Sequence, residues 1–317
     1  MNTSSQATGP SPSTPVFEAV DLTVERFRGR GERHMGLRQI SLRLESGGFL
    51  VLAGEEGAGI SLLGRLLAAG SPPGVRVLGG RLELRGGDLL AHKRKRRREI
   101  CRDEVSLVSA DPRKTFDPLC TVRENLREFV RARRLGGDRL AEDRLNETFY
   151  QVGMVEPERV LEKRVRRLDT FTVARLALVR VLLAETKILV CDGLSGSLDL
   201  VGRDRWIELV AQLHSEQGWS VMMTRRDLRG VCRYADHLAV FYEGGILEQG
   251  SPEELLDRPR FDYTRALSAA SLGLEEPRGP ISVPSREALK EAEEAIHGSP
   301  VGAEAPVDSS AGESGTK

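Results

Sequence analysis

Residues 54–61, Gly54-Glu55-Glu56-Gly57-Ala58-Gly59-Ile60-Ser61, constrain this chain more than any other stretch. The continuous apolar run 49–53 leads into them. A helical spacing follows within 61–69, carried by Leu62, Leu63, Leu66 and Leu67. Strand, glycine turn and helix in that order predict a layered α/β arrangement. Glycines at this spacing let the backbone wrap a phosphate, and the amides and the helix N-terminus supply a positive field. The segment fits G-x-x-x-x-G-K-[ST] except at one place. Ser61 keeps the hydroxyl that would ligate Mg²⁺, but Ile60 stands where a lysine would reach the β- and γ-phosphates. A charged hydrogen bond contributes roughly 1.5 to 3 kcal/mol, so about 10- to 100-fold in affinity goes with it. Taken alone, the segment also reads as a tight turn joining a strand to a helix.

The rest of the chain repeats the alternation. Short apolar runs at 105–108, 188–191, 221–223 and 238–242 are separated by helical stretches, which predicts a mostly parallel sheet with helices on both faces. Residues 17–24 and 40–44 alternate apolar and polar, as half-buried strands do. Residues 121–166 are helical and charged without strand signals, and read as an insertion. A Ser-, Thr- and Pro-rich lead (1–15) and a tail (275–317) rich in Pro, Gly, Ser, Ala and Glu are expected to be disordered, with only 285–296 of the tail looking helical. The ordered body is then 16–274. Hydrophobic residues make up 39%, enough for a sizeable core. No apolar run approaches the roughly 18 to 20 residues of a membrane span, and no signal peptide is evident. Cys101, Cys120, Cys191 and Cys232 form no CxxC pair, which suggests free thiols in a reducing compartment. No nucleic-acid partner is expected, because 47 basic residues face 47 acidic ones. The balance is not even along the chain, since the tail holds nine acidic and four basic residues. The basic run 93–98 reads as a solvated loop, having no interleaved aromatics. The five histidines show no ligand spacing, so no metal site is proposed from them.

Other motifs join the glycine loop. Residues 187–192 (KILVCD) are an apolar run ending in Asp192, the Walker B pattern, and Leu198-Asp199 matches a D-loop. Residues 111–118 (DPRKTFDP) precede Thr121-Val122, residues 234–250 carry two closing strands, and residues 259–267 (PRFDYTRAL) fit P-x-x-x-Y-T-x-x-L. In this order and spacing they resemble the ATP-binding subunits of ABC transporters, within them the oligopeptide/dipeptide/nickel importer class, over residues 17–272. The resemblance implies an α/β P-loop NTPase (RecA-like) core with an antiparallel β subdomain and an inserted helical subdomain at about 115–170. It implies ATP and Mg²⁺ as cofactors, with Gly54, Glu55, Gly57, Ala58, Gly59, Ile60, Ser61 and Asp192 at the nucleotide and Ser61 on the metal. It also implies a second cassette, membrane permease subunits docked on the helical insertion, and a cytoplasmic place at the inner face of the cell membrane.

The motifs depart from the family where its chemistry lies. The L-S-G-G signature is Leu168-Asp169-Thr170-Phe171, placing a carboxylate and bulk where a partner's γ-phosphate would approach. Gly193 replaces the glutamate after the Walker B aspartate, a general base worth roughly 10²- to 10⁴-fold. Ala110 aligns with the Q-loop glutamine, and Arg225 or Arg226 with the switch histidine. Phe27 aligns with the A-loop aromatic. Asp192 is otherwise an ordinary strand-end carboxylate, and Asp199 otherwise caps a helix from Leu200. With no catalytic residue left, the expected function is an inactive pseudo-ATPase beside an intact cassette in a peptide-type importer. The alternatives are an ordinary ATP-hydrolysing subunit with unusual motifs, or a nucleotide sensor or scaffold independent of transport.

Overall fold

The computed structural model describes residues 15–28, 32–70, 72–194, 198–228, 230–272 and 286–298. Two long strands, β1 (Pro15–Arg28) and β2 (Glu32–Glu45), extend beyond the alternating stretches because they pair with each other as far as Arg28↔Glu32. Next come β3 (Phe49–Ala53), α1 (Ile60–Ala69), β4 (Val75–Leu84) and β5 (Gly87–Asp88). Strands β2, β1, β4 and β5, in that order, form an antiparallel sheet. The basic run is not a loop. It forms the first turns of α2 (Arg94–Glu104), since lysine and arginine favour helix and solvate one exposed face.

After β6 (Val105–Val108) the chain leaves the sheet through α3 (Val122–Ala132), α4 (Glu142–Gln151), α5 (Pro157–Leu161) and α6 (Thr170–Ala184). A capping box starts α3, with Thr121 and Glu124 each accepting from the other's backbone amide. The chain returns through β7 (Ile188–Asp192), α7 (Leu200–Gln217), β8 (Ser220–Arg225), β9 (His237–Tyr242) and β10 (Gly245–Gly250), then α8 (Pro252–Asp257) and α9 (Asp262–Leu272). The second sheet runs β10-β9-β3-β8-β7-β6, parallel except for β10. Every residue of β3 and β7 is buried, which explains their unbroken apolar runs.

Pro15 opens β1, and residues 1–14 lie outside the described ones. The helix expected at 285–296 is present as α10 (Arg286–Gly298), and the expectation of disorder is corrected there because that helix packs on the body. Ala288 and Ala292 are buried there, and Leu289, Ala295 and Ile296 pack on the same core. That apolar stripe lies on β9, β10 and α9.

The helical insertion shares its core with the sheet. Phe149 on α4 is fully buried in the cluster that holds Leu126, Val173 and Cys191. Phe149→Ala is expected to destabilise the protein by about 3 to 5 kcal/mol, read as a lower urea midpoint with an unchanged slope. A loss below about 1 kcal/mol would mean that the insertion folds apart from the sheet.

Candidate nucleotide-binding site

The glycine loop sits at the end of β3, whose neighbours are β8 and β9. Ala53 stands beside Arg225 on one side and Val240 on the other. The Gly54 amide donates to the Arg225 carbonyl at 3.1 Å, and a Cβ on Gly54 would lie 2.7 Å from the Phe241 carbonyl oxygen. Gly59 has φ +99°, and a Cβ there would lie 2.7 Å from the Gly36 carbonyl oxygen. Backbone fills those two places, so only glycine fits. The Gly244 amide donates to Ala58 O at 3.2 Å, and the Arg38 amide donates to Gly244 O at 2.8 Å, so β2 and the β9–β10 turn brace the loop. Around Gly57 the space is open. The amides of Ile60 and Ser61 open α1 and have no intrahelical acceptor, leaving donors for an anion.

Ile60 is only 7% exposed and belongs to the apolar core that includes Leu37, Leu63 and Phe241. Its burial stabilises the fold and offers a phosphate no charge. Asp192, 6% exposed, ends β7 in register with Thr224. The Thr224 hydroxyl donates to Oδ1 of Asp192 at 3.0 Å, and Arg65 Nε lies 3.6 Å from its Oδ2. The same Nε donates to the Ser61 carbonyl at 3.1 Å. Both carboxylate oxygens of Asp192 thus already have a neighbour within the chain, a hydroxyl on one and an arginine near the other. A Cβ built on Gly193 would lie 3.6 Å from the Ala110 Cβ and 3.9 Å from the Thr224 hydroxyl. Positions 110, 193 and 224 thus converge beside Asp192, and the first two bring neither an amide side chain nor a base.

Position separates the two arginines aligned with the switch histidine. Arg225 is 3% exposed and turned inward, donating to Asp227 Oδ1 at 2.7 Å. Arg226 turns outward and donates to Glu56 Oε2 of the glycine loop at 3.0 Å.

In the altered signature, Asp169 does not stand free against an approaching phosphate. It caps α6, with Oδ1 accepting from the Thr172 amide at 2.8 Å and Oδ2 from the Thr172 hydroxyl at 2.6 Å. Burial raises its pKa, but the Thr172 hydroxyl and amide outweigh that and hold the carboxyl below its ordinary value. Asp169→Ala is expected to cost about 1 kcal/mol at neutral pH. Because the folded pKa is depressed, the stabilisation is present above the unfolded value and lost as pH falls through the folded one. The difference between wild type and Asp169→Ala in thermal melts should therefore shrink on acidification below about pH 4. A difference that holds constant to low pH would rule out the ionised cap. Phe171 is half-buried, packed on the core, with the Arg175 guanidinium 5.0 Å from its ring centroid. Thr170 begins α6. The structure also ties the signature to residues 111–118, since Arg113 Nη2 donates to the Leu168 carbonyl.

Asp199 caps α7 through the Gly202 amide at 2.7 Å, and the next two side chains, Leu200 and Val201, are exposed. The helix-cap assignment holds, and an exposed apolar pair beside it is compatible with a D-loop. Phe27 lies in β1, where Arg33 approaches its ring. Two further residues reach the loop or its aspartate without the sequence having placed them there. One is Arg65. The other is Tyr263 of α9, whose hydroxyl oxygen accepts from the Glu55 amide at 3.3 Å and whose phenol is pushed up to about 12, chiefly by burial. Tyr263 lies in the P-x-x-x-Y-T-x-x-L stretch, so the subgroup mark reaches the glycine loop.

A glycine loop ending the central strand, an aspartate ending the strand two places away and a helical insertion between them define an ABC-type P-loop nucleotide-binding domain. The chain belongs to the ABC transporter family of ATP-binding subunits. Residues 37–194 match the ABC transporter family profile. The nickel import ATP-binding protein NikD of Rhodospirillum rubrum is 34% identical over 236 residues, which span 74% of this chain and 87% of that protein. The dipeptide transport ATP-binding protein DppD of Escherichia coli is 27% identical over 252 residues, 79% and 77% of the two chains. Among solved structures, cbiO1 of Clostridium perfringens, part of the ABC transporter complex cbiONQ, gives a TM-score of 0.66 at 20% identity, over 83% of this chain and 96% of that one. A dimeric bacterial ABC transporter cassette gives 0.64 at 19% identity, over 74% and 98%. No helix among the described residues is long and apolar enough to cross a membrane.

Proposed function

We propose that this chain is the inactive cassette of a peptide- or nickel-type ABC importer, a structural or regulatory partner of an intact cassette on the inner face of the membrane permease. The observation that carries the reading is the end of β7. Gly193 and Ala110 face each other there, the Ala110 Cβ 3.6 Å from where a Gly193 Cβ would stand, and neither residue offers a base or an amide to orient water. Ile60 compounds the loss at the phosphates, and Asp169-Thr170-Phe171 compounds it on the surface offered to a partner's nucleotide. A subunit lacking only the lysine and glutamate would leave its partner's site intact. This one impairs both.

The open glycine cradle fits the phosphates of a nucleotide. A divalent cation is less well served, because its donors would be the Ser61 hydroxyl and Asp192 Oδ2, and the latter already faces Arg65. If Mg²⁺ enters with ATP, those two oxygens would hold it and its charge would screen the phosphates. The import role follows from NikD and DppD as relatives. Affinity capture of the tagged chain from native membranes tests it. The expected result is co-purification, near one to one, of a second cassette carrying an intact lysine and glutamate, together with permease subunits. Elution of this chain alone from membranes that contain the permease would count against it.

A further inference from the structure

We propose that Arg226 supplies the phosphate-binding cation that Ile60 does not, and that Glu56 holds that guanidinium in reserve until a nucleotide displaces it. The inference deepens the proposed function and rests on the glycine loop still taking a nucleotide.

Three observations converge. The first is position. The hydrogen bond from the Gly54 amide to the Arg225 carbonyl pins the backbone one residue before Arg226 against the first residue of the loop. The second is commitment of the other cations. Arg65 is engaged by Asp192 and the Ser61 carbonyl, Arg225 by Asp227, and Arg38 donates its Nε to the Glu243 carbonyl. Arg226 alone of these four reaches a side chain of the loop itself, Glu56. The third is exposure. The two side chains are 64% and 81% exposed, so their pair is held weakly and the guanidinium can turn. A planar guanidinium can make two charge-assisted hydrogen bonds to a phosphate, and a polyphosphate carries more negative charge than the one exposed carboxylate it would replace. The eight-residue loop carries two carboxylates, Glu55 and Glu56, and no cation. Any polyphosphate entering it must overcome that negative charge, and Arg226 is placed to do so by leaving Glu56. The ligand class is a nucleoside di- or triphosphate, with the arginine acting on the phosphates and not on the base.

Opposite signs and their coupling test the proposal. ATP is titrated calorimetrically into the full chain and into Arg226→Ala and Glu56→Gln. Arg226→Ala should weaken binding at least 10-fold. Glu56→Gln should strengthen it about 3- to 10-fold, because it frees the guanidinium and removes a carboxylate. Arg226→Lys should fall between wild type and alanine, and adenosine should bind all four proteins alike. If the guanidinium never reached the phosphates, Glu56→Gln would strengthen binding as much in an Arg226→Ala background as in the wild type; here most of that gain should vanish in the double variant, and a gain that persists undiminished would overturn the assignment. Absence of any ATP binding to the wild type at millimolar concentration would also overturn it, while leaving the inactive-cassette proposal standing.

Discussion

Ile60→Lys is expected to raise the affinity of the full chain for ATP about 10- to 100-fold and to leave phosphate release at background. The isoleucine lies at the start of α1 with its side chain in the core beneath the loop. A lysine at the same position lays its first methylenes over that apolar surface and carries the ammonium out toward the cradle, as long cationic side chains do. Without ligand the variant should lose about 1 kcal/mol, because part of a well-packed apolar side chain is exchanged for a chain that must reach past it. Isothermal titration with ATP measures the gain, and urea unfolding measures the loss. An unchanged affinity would mean that the pocket has been lost as a whole and not at one charge. If Arg226 already serves the phosphates, the gain from lysine should be larger in an Arg226→Ala background than in the wild type, a coupling read directly from the double variant.

The second large effect concerns turnover. Restoring lysine at 60 and glutamate at 193 together is expected to leave the chain without measurable hydrolysis. Activity at least about 100-fold above background is expected only when Asp169, Thr170 and Phe171 are also returned to serine, glycine and glycine. The reason is geometric. Gly193 has φ +61°, a region where a glutamate is strained, though the 3.6 Å distance to Ala110 leaves room for a Cβ. The glutamate can therefore be accommodated at a cost. The signature cannot be replaced by accommodation. Asp169 is committed to Thr172, and Phe171 is packed into the core under Arg175. Neither is available to receive a partner's phosphate. Steady-state phosphate release from the double and the five-fold variant separates the two steps. Activity in the double variant would show that the signature is dispensable here.

Much of this was legible in the order of the elements. The apolar runs of β3 and β7 are unbroken because both strands are buried on both faces, and the glycine spacing between β3 and α1 could be read because backbone closes on Gly54 and Gly59. What escaped were contacts made across the chain. Tyr263 meets the Glu55 amide from 208 residues away, and no local pattern encodes that. Arg225 and Arg226 are adjacent and chemically alike, so only the strand register, which buries one and exposes the other, could divide them. The carboxylate of Asp169 read only as a repulsive charge, because its second role, capping α6 through the Thr172 amide and hydroxyl, does not show until the helix start is placed. In the tail the helix was legible, but its packing on the body was not. Its charges are those of a solvated segment, yet the alanines and Ile296 of α10 fall on one face.

Whether the chain hydrolyses ATP is decided by phosphate release from the purified wild type compared with Asp192→Asn. Both proteins should release phosphate at the same background rate, with or without Mg²⁺, because no base stands at position 193 and no lysine at position 60. Release by the wild type that Asp192→Asn abolishes would show a working site and contradict the inactive-cassette proposal.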